Sequence, residues 1–180
     1  MTREQEEYRA LRATIRERGT ARVCLFAAGM AAWAALAVAS LALALPPLAT
    51  IIPLLILAST FEVTFALHAG VERLGRYLLV FHGDTWEQTA GSFGQPPGAV
   101  RLDALFTWVF LGAAIANLMP LLVTVPVVQE LAAVGLAHLV FVLRVLSAGR
   151  AARLQRDVDR RRFAEVFTEI VKGIKDEAGA

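Results

Sequence analysis

A chain of 180 residues, 57% of them hydrophobic and with a mean hydropathy of +0.56, is more apolar than a soluble globular domain, where that share is about half. Its 18 basic residues give a net charge of +2 and a pI near 9.1; they lie in three blocks between long apolar runs, as expected of Lys and Arg on the inner side of membrane segments, so nucleic acid is not needed as a partner. One cysteine, Cys24, excludes an internal disulfide and a zinc site of paired cysteines.

Residues 1–20 read as a cytoplasmic amphipathic helix. Thr2 and Gln5 have capping-box spacing, Glu4, Glu6 and Glu7 lie in the first turns, and Arg12, Arg16 and Arg18 follow, matching the polarity of a helix dipole. Tyr8, Leu11 and Ile15 form a narrow apolar stripe for the membrane surface or another helix. Gly19 and Thr20 are expected to form a joint. The segment is too long and too acidic for the start of a secretory signal. Although Ala42-Leu43-Ala44 imitates a cleavage site, the apolar run 23–45 exceeds a signal core and reads as a retained span.

That first span rises about 34 Å, enough for a hydrocarbon core of about 30 Å. Ala27, Gly29, Ala31, Ala35 and Ala39 are expected to face neighbouring helices, because small side chains let helices approach closely. Pro46-Pro47 ends the span and forces an antiparallel return. The second span, 48–69, carries Glu62, and its helical pattern continues to Phe81, bending near Gly70 or Gly75 or projecting into the cytoplasm. An internal loop, 82–101, holds Asp84-Thr85-Trp86-Glu87, which has the spacing of a helix cap.

The third span, 104–125, contains Asn117 and a Met119-Pro120 pair near its outer end. The fourth, 127–146, starts after Pro126, carries Gln129, Glu130 and His138, and closes at Arg144, which must snorkel because the uncharged run is short. Residues 148–180 are expected to form a basic collar and a C-terminal cytoplasmic helix. The collar residues Arg150, Arg153, Arg156, Arg160, Arg161 and Arg162 suit anionic lipid headgroups. Leu154 and Val158 face one way while Phe163, Val166, Phe167, Ile170 and Ile174 face nearly the other, so a helix break is expected near Asp159. With both termini inside, every basic residue is internal and the two outer turns hold none. Two hairpins in one chain suggest a duplicated unit, but no sequence repeat supports it.

The intramembrane polar residues Glu62, Asn117, Gln129 and His138 are the candidates for chemistry. Glu62 and His138 lie at similar depth, so adjacent helices would let them touch, as a proton relay, an ion site or, the favoured reading, a helix-orienting hydrogen bond. His68, Glu72 and Arg76 recur at spacings of four, an interfacial ion-pair ladder; a metal site would need His82 and Asp84 as well, and none is expected. Bis-histidine haem is excluded by the separation of His68 and His138, which leaves His138 alone as a ligand for a haem or chlorin. No GxSxG, Walker loop or paired cysteines are present, so no enzyme is expected.

These readings converge on an all-α integral membrane protein with four transmembrane helices in two antiparallel hairpins and amphipathic cytoplasmic termini. The favoured role is a non-catalytic scaffold, either an accessory subunit of a larger membrane complex or a homo-oligomer, with membrane lipids, other membrane subunits or itself as partners. The alternatives are an ion or proton channel or ion-coupled transporter using Glu62 and His138, and a haem or pigment carrier at His138. Sixteen arginines against two lysines, with abundant alanine, point to a GC-rich bacterial genome and hence to the bacterial inner membrane.

Overall fold

The computed structural model describes residues 2–81, 102–124 and 126–178, without the side chains of 102–105, 153, 160, 170, 171 and 173–178. The described residues are helical and contain no strand. Among the described residues four α-helices follow one another: α1 (Arg3–Ala42), α2 (Ile51–Phe81), α3 (Leu102–Ala116) and α4 (Val128–Ala178), with 3-10 turns at Pro47–Thr50 and Met119–Leu122. Three helical stretches, Arg3–Ala42, Pro47–Phe81 and Val128–Glu169, are long and apolar enough to cross a membrane, and Phe106–Leu122 is a shorter apolar one.

The start of α1 is held as its sequence dictates. Thr2 N–H donates to Gln5 Oε1 at 3.2 Å and Gln5 N–H donates to Thr2 Oγ1 at 3.4 Å, a reciprocal capping box. The expected joint at Gly19 and Thr20 is not formed, and α1 runs through it. One glycine costs a helix interior about 1 kcal/mol relative to alanine, too little to stop a helix flanked by good helix formers. The helix closes in a Schellman turn: Leu45 N–H reaches Ser40 O at 3.0 Å, Ala44 N–H reaches Leu41 O at 3.1 Å, and Pro46 follows. Ala44 occupies the left-handed position that usually falls to glycine, with φ 46°.

The second helix is unbroken through Glu62, Gly70 and Gly75 to Phe81. The third is shorter than the expected span 104–125. It stops at Ala116 because Pro120 has no N–H to give and its ring clashes with the carbonyl four residues back, so the chain continues as a 3-10 turn. In α4, Glu130 Oε2 accepts Val127 N–H at 3.3 Å and satisfies one of the free donors at the helix start. The expected break near Asp159 is also not formed, since α4 is one helix from Val128 to Ala178. The change of apolar face that suggested it has another cause: Leu154 and Val158 are exposed, at 69% and 47%, and the inward face of this stretch is polar.

The chain divides into two compact units. One gathers Met1–Gly19, His68–Ala99 and Ala151–Ala180, the other Thr20–Leu67 and Val100–Arg150. Residues 68–81, which carry α2 to and past the expected end of the second span at 69, group with the two terminal segments.

The core of the second unit is built on Leu54, Leu57, Phe61, Phe110, Phe141 and Val145. Phe110 stands edge-on to Phe26 and Phe61, with ring centroids 5.8 and 5.1 Å away. Gly29 lets α1 approach α2: a Cβ there would fall inside the Thr60 side chain, 2.8 Å from its Cβ. Of the small residues expected to face neighbours, only Gly29 does so within the chain. Ala27, Ala31, Ala35 and Ala39 are exposed, because α1 packs through the other side, with Phe26, Met30 and Trp33. In the first unit Tyr77 and Phe81 stack at 4.6 Å, and Phe163 meets Tyr77 edge-on at 5.9 Å. Tyr8, Leu11 and Ile15 are half-buried there.

Candidate functional site

Two polar clusters and one ion pair stand out. In the second unit Asn117 follows the last residue of α3, where the helix has already ended and the side chain points into the core with 1% exposure. Its amide donates to Thr50 O at 2.9 Å and to His138 Nε2 at 3.1 Å, and its Oδ1 accepts Trp33 Nε1–H at 3.3 Å. His138 Nδ1 lies 2.8 Å from Val134 O; a carbonyl only accepts, so Nδ1 carries the proton and Nε2 accepts from Asn117. One asparagine therefore ties together three helices and a 3-10 turn. Both ring nitrogens of His138 are engaged, so a haem or chlorin could bind it only by displacing Asn117.

The sequence places Glu62 within reach of His138, but the structure pairs it with Arg144. Nε and Nη2 of Arg144 meet the two carboxylate oxygens at 2.7 Å each, a bidentate fork. The guanidinium also lies over the rings of Phe61 and Phe65, 5.8 and 5.6 Å from their centroids. Arginine wins this contest because its planar fork both neutralises and matches a carboxylate, whereas a neutral imidazole does neither. Gln129 is exposed and joins neither arrangement.

In the first unit the ladder on α2 continues into α4. His68 Nε2 lies 3.6 Å from Glu72 Oε1, and Arg76 Nη1 donates to Glu72 Oε2 at 3.2 Å. Arg76 Nη2 then donates to Asp159 Oδ2 at 2.8 Å, joined there by Arg73 Nε at 3.4 Å, while Gln155 donates to Asp159 Oδ1 at 2.8 Å. Arg156, which the sequence assigns to lipid headgroups, is half-buried with Nη2 3.4 Å from Glu72 Oε1. Burial alone would raise the Asp159 carboxyl, but hydrogen bonds from Arg76 and Gln155 and the charges of Arg73 and Arg76 outweigh it and hold the group below its ordinary value. Tyr77 donates its hydroxyl to Glu7 at 3.0 Å; burial first, then that bond and the Glu7 charge, push it above its ordinary range.

Arg150, Arg161 and Arg162 are exposed; the side chains of Arg153 and Arg160, and His82, Asp84 and the 84–87 cap, lie outside the described residues. No group of three His, Cys, Asp or Glu side chains gathers as a metal site among the described residues. Sequence reasoning missed Asp159, which it took for a helix break, and Trp33. Two signals were available: Gln155 and Asp159 share a helix face at a spacing of four, and an indole N–H within an apolar run needs an acceptor. Compared with protein families, with curated proteins and with solved structures, the chain matches none.

Proposed function

We propose that the chain is a four-span protein of the bacterial inner membrane with both termini cytoplasmic, and that it acts as a non-catalytic scaffold through helix contacts with other membrane subunits or with further copies of itself. The apolar lengths of α1, α2 and α4, the shorter apolar stretch through α3, and the grouping of Lys and Arg in three sequence blocks between apolar runs support the topology.

The observation that carries the scaffold reading is a difference between two exposed surfaces. On α4 the outward residues are large, with Leu136, Leu139, Val140 and Leu143 each more than half exposed, as a lipid-facing surface requires. On α1 the middle of the outward face is small: Ala27, Ala28, Ala31, Ala35 and Ala39 are all exposed, with larger residues such as Val23 and Leu36 to either side. In lipid, small residues favour close helix contacts; Gly29, Ala34, Ala37 and Ser40 are buried or half-buried within the chain, whereas these five alanines are left open. The paired Glu62 and the internally bonded His138 also suit structural roles better than an ion path.

Mild-detergent extraction with size analysis, and identification of whatever travels with the chain, tests this reading. The native chain is expected to migrate in a larger assembly, and Ala31→Leu with Ala35→Leu to release it as a helical monomer. A native chain that migrates alone sinks the scaffold reading. An ion flux in proteoliposomes that Glu62→Gln abolishes would establish the channel or transporter instead.

A further inference from the structure

In the first unit Arg73 and Arg76 meet at Asp159, and Arg76 and Arg156 meet at Glu72. Arg73 contributes just its Nε to that cluster and keeps 59% side-chain exposure, so its two Nη groups have no partner among the described residues. A further guanidinium arrives from α1. A Cβ built on Gly70 would lie 3.0 Å from Arg18 Nη1, so the tip of Arg18 rests against α2 where glycine leaves room for it. Arg18 is exposed and has no ion-pair partner among the described residues.

Gly70 and Arg73 are one helical turn apart, a spacing at which side-chain roots stand about 5–6 Å from each other. The tip of Arg18 and the root of the Arg73 side chain therefore lie within one helical turn of each other along α2. An anion reached by both side chains would be attracted by each. Of the neighbouring acids, Asp159 meets only the Nε of Arg73, and Glu72 meets Arg76 and Arg156.

Position along the helices indicates where the anion comes from. Arg18 precedes Val23, the start of the apolar run, by about 7.5 Å of unbroken helix, and Arg73 follows Leu67 by about 9 Å. A headgroup layer extends about 5–8 Å beyond the hydrocarbon on each side. We infer that Arg18 and Arg73 bind the phosphate of an anionic phospholipid, an assignment that rests on the membrane-spanning reading above. Guanidinium forks match phosphate oxygens, and Gly70 keeps the space in which Arg18 reaches its place.

Native mass spectrometry of the purified full chain in detergent micelles containing phosphatidylglycerol or phosphatidylcholine tests the site. Wild type retains phosphatidylglycerol preferentially. Arg18→Gln and Arg73→Gln each lower that retention about fivefold, and together about thirtyfold, while Arg3→Gln, at an exposed position about 22 Å along α1 from Arg18, leaves it unchanged. Because Arg73→Gln also removes a bond to Asp159, Gly70→Leu serves as a second probe: it displaces the Arg18 tip without removing a charge and lowers retention as Arg18→Gln does. Equal retention by wild type and the double variant overturns the site, and displacement of the lipid by millimolar inorganic phosphate overturns the lipid assignment in favour of a free anion. Alkaline carbonate washing separates the two levels of the argument. A chain released from its membrane sinks the membrane reading and the lipid with it, whereas an embedded chain without lipid preference sinks the site alone.

Discussion

The Asn117 node and the Asp159 cluster join helices with similar bonds in opposite surroundings. Around Asn117 every donor finds one acceptor, no group is charged, and the side chain is 1% exposed. Around Asp159 three guanidiniums share two carboxylates, and Arg73 stands more than half in the open. The first arrangement has no spare capacity and no ion pair for salt to screen. The second depends on a charge balance, so its strength follows ionic strength and proton concentration.

The largest effect is expected at the node. Asn117→Leu leaves the Trp33 indole and His138 Nε2 without partners in an apolar core and removes the side-chain bond to the Thr50 carbonyl, at a cost of about 2–4 kcal/mol, read as a fall in the thermal midpoint in detergent that added salt does not change. A salt-dependent fall would erase the contrast between the two clusters. Asp159→Asn is expected to cost less, about 1–2 kcal/mol, because it removes charge but keeps a hydrogen-bonding side chain. The direction of its pH dependence follows from the depressed carboxyl. Its contribution is complete above the ordinary Asp value of 3.8 and is lost as the pH falls from there through the lower folded value. Unfolding monitored by circular dichroism should therefore hold level from pH 7 to about 5 and weaken below about 4, and Asp159→Asn should flatten that acid limb. The smallest change sharpens the comparison as a control. Ala44→Gly relieves a left-handed φ at the end of α1 and should stabilise the chain by about 0.5–1 kcal/mol without altering its response to salt or acid.

Much of this architecture is written in local patterns. Apolar run lengths mark the long helices, Thr2 and Gln5 mark the start of α1, and the spacing of His68, Glu72 and Arg76 already places them on one face. What local pattern cannot supply is the partner from another helix. Glu62 and His138 have similar depths, yet each is claimed by a residue on a different element, Arg144 and Asn117, because register and rotation are set by packing around Phe61 and Phe110. The two missed continuities, at Gly19 and at Asp159, share a cause. Each site shows a break signal in its own segment, and in each the helix continues; at Asp159 a residue that looks like punctuation is the anchor for arginines 83 and 86 positions away.

The contact between Gly29 and Thr60 also bears on how this chain can drift. Thr60 cannot easily turn aside, because its hydroxyl already donates to Ile56 O at 2.7 Å, so the two helices touch at a point with no slack on either side. A methyl group gained at position 29 must be matched by a loss at position 60. Among descendants of this sequence the two sites should therefore change as a pair: a lineage that keeps threonine at 60 keeps glycine at 29, and one that gives up the glycine does so only after 60 has become smaller.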